Sequence, residues 1–118
     1  MPPDDARWRR CLWPLDWEQV WGEHMGWLYL RRPFHAPTGL TAALRLGCLL
    51  DISAGTYRLW LNANLLSTHE DCGTQGIWYP FPFPLPMRNT LLIALHRPTH
   101  DTLPRLSQPV RIIIEEPV

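Results

Sequence analysis

Tyr57-Arg58-Leu59-Trp60-Leu61-Asn62-Ala63-Asn64-Leu65-Leu66 decides how this chain is read. Tyr57, Leu59 and Leu61 alternate with Arg58, Trp60 and Asn62, and a period of two marks a strand with one face buried. Asn62 to Asn64 supply a turn, because asparagine tolerates left-handed backbone better than most residues. Leu65 to Thr68 then returns, so the stretch is a hairpin. Trp60 falls on the face opposite Leu59 and Leu61. Either both faces of this sheet are covered, or Trp60 is exposed on a face that binds something.

Outward from the hairpin the pattern stays β. Upstream, Trp27 to His35 reads as a strand closed by Ala36-Pro37-Thr38-Gly39. Leu40 to Leu50 follows, with Leu40, Ala42, Leu44, Leu46 and Cys48 on one face, and Asp51 to Gly55 turns the chain. Downstream, a polar loop runs from His69 to Gly76. In Ile77 to Leu85, Pro80, Pro82 and Pro84 alternate with Phe81, Phe83 and Leu85. Proline cannot donate to a ladder, so this is an edge strand or an extended arm with its apolar side chains inward. Met87-Arg88-Asn89 turns into the apolar strand Thr90 to His96. A proline-containing loop covers Arg97 to Gln108, and Val110 to Glu115 closes the sheet with Val110, Ile112 and Ile114 inward. The only helical signal is Leu15 to His24, capped by Asp16. These short strands between frequent turns predict an all-β, antiparallel sandwich over 26–118. Residues 1–25 form an irregular or short-helical segment that packs on it, with Trp8, Trp13, Trp17 and Trp21 as its pins.

A chain of 118 residues is one domain by size, and folding removes roughly two-thirds of its extended surface from water. Eleven acidic residues balance eleven basic ones, and every basic residue is arginine. With no net positive field and the arginines spread along the chain, nucleic acid is not an expected partner. No apolar run is long enough to span a bilayer, so no membrane association is expected. Met1-Pro2-Pro3-Asp4-Asp5 lacks the basic start and apolar stretch of a secretory signal, so a cytoplasmic location is expected. Cys11, Cys48 and Cys72 are odd in number and fit neither a metal knuckle nor a redox pair. They read as reduced thiols, with Cys48 a small core residue.

Several runs, in order, resemble one family. Gly26-Trp27-Leu28-Tyr29-Leu30-Arg31-Arg32-Pro33-Phe34-His35-Ala36-Pro37 resembles the opening strand of the N-terminal sugar-binding domain of glycoside hydrolase family two enzymes. That family (β-galactosidases, β-glucuronidases and β-mannosidases) shows an aromatic residue, paired arginines, a phenylalanine and a proline there. Leu44-Arg45-Leu46 resembles its second strand, and Leu59-Trp60-Leu61-Asn62 its hairpin. Tyr79-Pro80-Phe81-Pro82-Phe83-Pro84-Leu85 falls where the family has a phenylalanine and the following strand. Asn89-Thr90-Leu91-Leu92-Ile93-Ala94-Leu95 resembles its asparagine-plus-apolar strand. The resemblance spans Gly26 to His96 and implies the galactose-binding-like jelly roll. Ala63 stands where the family commonly has glycine. Left-handed backbone there would strain alanine by about 1 kcal/mol, whereas a turn with Asn64 left-handed avoids it. The family's catalytic barrel, with its two carboxylates, is absent from these residues, so the resemblance implies the fold and not hydrolysis.

The residues themselves offer no reaction. Glycosidic hydrolysis needs two carboxylates held roughly 5–10 Å apart across a bond, and Glu70-Asp71 are neighbours in one loop with nothing placed opposite. His69 and Cys72 share that loop without identifiable oxyanion donors. His96, His100 and Asp101 could be called a metal cluster, but His96 ends a strand and His100 sits in a loop, so they read as surface residues. No catalytic residue, metal or cofactor is therefore expected, and the chain reads as non-enzymatic. The aromatic residues point further. Sugars stack their C–H faces on rings and need polar partners for their hydroxyls. Trp78 and Tyr79 adjoin the His69–Gly76 loop, and the expected ligand site combines these rings with His69, Glu70, Asp71 and Asn64. The leading expectation is a carbohydrate-binding module. The alternative is a protein-interaction or structural domain, either an accessory partner of a separate catalytic chain or a homo-oligomer.

Overall fold

A computed structural model describes residues 2, 7–53, 56–69 and 74–115, apart from the side chains at 53, 68, 69, 74, 75 and 115. The elements are α1 (Trp17–Trp21), β1 (Gly26–His35), β2 (Arg45–Ser53), β3 (Thr56–Leu61), β4 (Asn64–His69), β5 (Thr74–Pro80), β6 (Arg88–Arg97), β7 (Arg105–Leu106) and β8 (Arg111–Glu115). Antiparallel pairing is nested: β1 with β6, β2 with β5, β3 with β4. This concentric order is that of a jelly roll. One sheet runs β1-β6-β3-β4. In the other, β2 is central, with β5 along one side and β8 then β7 along the opposite side.

Alternation along the strands builds the core. Tyr57, Leu59 and Leu61 of β3 and Leu91, Ile93 and Leu95 of β6 face Leu46, Cys48, Leu50 and Ile52 of β2. Asp16 caps α1, its carboxylate accepting from the Gln19 N–H at 3.2 Å. Trp17 and Trp21 carry the helix into the core, and Trp21 Nε1 donates to the Pro104 carbonyl at 2.7 Å. Buried Arg97 donates to the carbonyls of Thr102, Gly22, His24 and His100, which ties the helix exit to the segment before β7.

The β3–β4 turn has positive φ at Asn62 (50°) and Ala63 (68°). The strained alternative is therefore the one adopted, and Asn64 does not carry the left-handed residue. Asn62 compensates. Its side chain donates to Asn89 Oδ1 and accepts from the Thr90 N–H, both at 2.9 Å, which fastens the turn to the start of β6.

Several strand expectations are corrected. β2 starts at Arg45 rather than Leu40, because the Leu44 N–H closes a turn on the Thr41 carbonyl at 3.0 Å. β5 starts at Thr74, three residues earlier than expected, and ends at Pro80, where the prolines remove donors. Phe81 is buried and stacks on Phe34, but Phe83 points outward, 51% exposed. Ile114 is also outward, at 43%. The Arg97–Gln108 segment contributes the short strand β7, which pairs with the end of β2. Trp60 is covered: it forms an outer cluster with Leu92 and Ala94, against which Trp27 and Tyr29 pack.

Candidate functional site

Strand β5 separates the two rings expected to share a ligand. Tyr79 lies opposite Cys48 and faces the core. Its ring meets Tyr57 edge-on at 6.4 Å, and the two hydroxyls are hydrogen-bonded. Trp78 lies opposite Leu49 on the other face. Its indole sits over Gly47, where a Cβ would come within 2.8 Å of the ring and would also collide with the Tyr79 carbonyl. Glycine at 47 is what lets Trp78 lie across β2. The indole N–H of Trp78 is buried and has no hydrogen-bond partner among the described residues. Asn64 is exposed in the hairpin turn, its amide 3.4 Å from the Asn62 carbonyl. Asn64 and His69 open and close β4, so roughly 15 Å of strand separates them. The His69 side chain and all of Glu70 and Asp71 lie outside the described residues.

Charged and aromatic side chains gather elsewhere, along β1, the edge strand of its sheet. The N-terminal segment runs beside this edge and borders an open cavity of about 650 Å³. Arg7, Trp8, Arg9, Arg10 and Trp13 line it from the segment, and Tyr29, Arg31 and Arg32 line it from β1. The Arg31 guanidinium stacks on Trp8 at 4.2 Å. Arg32 donates to the Val110 carbonyl. A smaller cavity of about 190 Å³ adjoins, lined by Arg7, Trp8, Trp27 and Tyr29 among others. Among the described residues, no carboxylate lines either space. Beyond them Trp27 is engaged by the Arg58 guanidinium at 4.6 Å and the His96 ring at 4.8 Å.

Sequence reasoning passed over this constellation. Its signals are the run Arg7-Trp8-Arg9-Arg10 and the pair Arg31-Arg32, which a balanced total charge conceals.

Several other described titratable groups have partners within the fold. Asp51 is buried, accepts from the Gly76 N–H and pairs with Arg111 at 3.5 Å. Glu23 pairs with His100 at 3.7 Å on the surface. Cys11 and Cys48 are free thiols, and burial pushes the Cys48 pKa up to about 12 against a smaller opposing backbone hydrogen bond. Among the described residues no cluster of three or more histidine, cysteine or acidic side chains is arranged to hold a metal ion. No described helix is long and apolar enough to cross a membrane.

The antiparallel sandwich, with a polar and aromatic rim, is of the kind the Gly26–His96 resemblance implies, that of a glycoside hydrolase family 2 domain. Among solved structures the chain is similar to the Bifidobacterium dentium β-glucuronidase complexed with coumarin-3-O-glucuronide, with a TM-score of 0.53 and 27% identity. The similarity covers 62% of this chain and 12% of that one, so this chain spans only a small part of that β-glucuronidase. No family model matches the sequence. No curated protein matches it either.

Proposed function

We propose that this chain is a non-catalytic carbohydrate-binding module. The observation that carries the reading is the similarity to a small part of a glycoside hydrolase, found for a sandwich whose rim holds exposed rings and planar polar groups. Trp8 and Trp13 are 38% and 42% exposed. Both line the cavity along β1, the combination that sugar recognition uses. Among the described carboxylates, Asp16 caps a helix and Asp51 is spent on Gly76 and Arg111. The free thiols at Cys11 and Cys48 support a reducing, cytoplasmic setting. Calorimetric titration with a broad panel of neutral and acidic oligosaccharides tests the reading. Heat from at least one saturable sugar is expected, and silence across the panel overturns it.

A second reading, protein association, is favoured by Phe83 and Met87, which are 51% and 76% exposed in and beside the proline-rich arm. Light scattering of the isolated chain that returns a dimer mass, lost in Phe83→Ser, would move the function to self-association.

A further inference from the structure

We propose that the cavity along β1 binds an anionic saccharide, one bearing carboxylate or sulfate groups, through Arg7, Arg9, Arg10, Arg31 and Arg32. This rests on the carbohydrate-binding reading and narrows it. The chain carries eleven basic residues against eleven acidic, yet five arginines line one cavity and no described carboxylate does. Arginines that line one cavity with no counter-charge among the described residues repel one another, and an anion in their midst relieves that repulsion.

Two of the five are held in position. The central carbon of the Arg31 guanidinium sits over the Trp8 ring, 4.2 Å from its centre. A guanidinium stacked by its face keeps its edge of N–H donors for a carboxylate or sulfate. Arg32 is fixed by its bond to the Val110 carbonyl. Donors already in place lose less freedom when a ligand arrives.

The rest of the lining specifies a ring-bearing ligand. Trp8 and Trp13 keep exposed surface, which suits the apolar face of a pyranose. The volume of about 650 Å³ falls within the roughly 300–1,000 Å³ of small-ligand pockets. Nucleic acid fits less well, because tight backbone binding needs many phosphate contacts along an extended basic stripe, and the chain has no net charge to attract it.

Calorimetry on the whole chain decides, with four probes. Tri-galacturonate offers carboxylates, a sulfated galactose oligomer offers sulfates, galactotriose offers neither, and a single-stranded oligonucleotide offers phosphates. At least one anionic oligomer is expected to bind about tenfold or more tighter than galactotriose, and to weaken as salt rises. Arg31→Ala and the double variant Arg9→Ala/Arg10→Ala should each lower that affinity about tenfold, and Arg31→Lys should not restore it. Thermal unfolding checks that each variant is folded, and the double variant lies outside the sheets should Arg31→Ala fail. Equal binding of galactotriose, or anion binding indifferent to the arginines, overturns this proposal and leaves the module reading standing. Silence from both anionic oligomers overturns it too, and silence from every sugar removes both. Tighter binding of the oligonucleotide transfers the cavity to nucleic acid and overturns it.

Discussion

Strands β5 and β1 both lie at sheet edges, and both bring aromatic residues to the rim of the sandwich. On β5 the rings are adjacent in sequence, so the pleat sends them to opposite faces. Tyr79 enters the core and bonds Tyr57, while Trp78 lies down on Gly47. On β1, Trp27 and Tyr29 are two apart and share the outer face, where they seal Trp60, Leu92 and Ala94. That face is closed by the strand's own residues, and the N-terminal segment then runs along the edge and leaves arginines around a cavity. Proximity of a ring to a polar loop does not make a binding surface. What matters is which face of the sheet the pleat gives each ring.

The contrast is sharpest in stability. Tyr79→Ala should cost about 3 kcal/mol in chemical denaturation, whereas Arg31→Ala should cost under about 1 kcal/mol and act on ligand affinity instead. A Tyr79→Ala protein as stable as the parent would break the comparison. Next comes Gly47→Ala. Its new methyl group meets the Trp78 ring and the Tyr79 carbonyl, and overpacking of this kind costs about 2 kcal/mol. If Trp78 swings out, its fluorescence will shift to the red, while the clash with the Tyr79 carbonyl still lowers the midpoint.

Two cysteines probe the same regions. Cys48 sits opposite Tyr79 with its thiol pushed up to about 12, while Cys11 is exposed and lines the β1 cavity. Cys11 should therefore alkylate at pH 8 in the folded protein and Cys48 should not, as mass mapping would show. The folded state keeps the Cys48 proton above pH 9, where the unfolded chain releases it. Stability should then fall with rising pH by about 1.4 kcal/mol per unit between the unfolded pKa and about 12. The Cys48→Ala protein should lose that contribution to the slope. The smallest effect belongs to the β3–β4 turn, outside both regions. Ala63→Gly should raise stability by about 0.5 kcal/mol, because relief of left-handed strain slightly exceeds the added freedom of the unfolded chain.

Much of the sandwich was legible in local patterns. Alternation in Tyr57–Leu61 placed β3, Asp16 announced the helix, and Cys48 read as core, because burial of one strand face and capping of a first turn need only residues a few positions apart. Other features needed the neighbours. Phe83 and Ile114 obey the alternation of their segments yet point to solvent, since the proline arm leaves the sheet after Phe81 and β8 runs past its cover. Asn62 and Asn89 each suggested a turn, but only the β3–β6 register joins their amides.

The sequence by itself determined two antiparallel layers, because period two is written residue by residue and the hydrophobic effect acts on each strand separately. Tertiary structure alone decided which rings are sealed and which arginines converge. Arg7 and Arg32 stand far apart in the chain, and only the packing of the first segment against β1 brings like charges to one cavity.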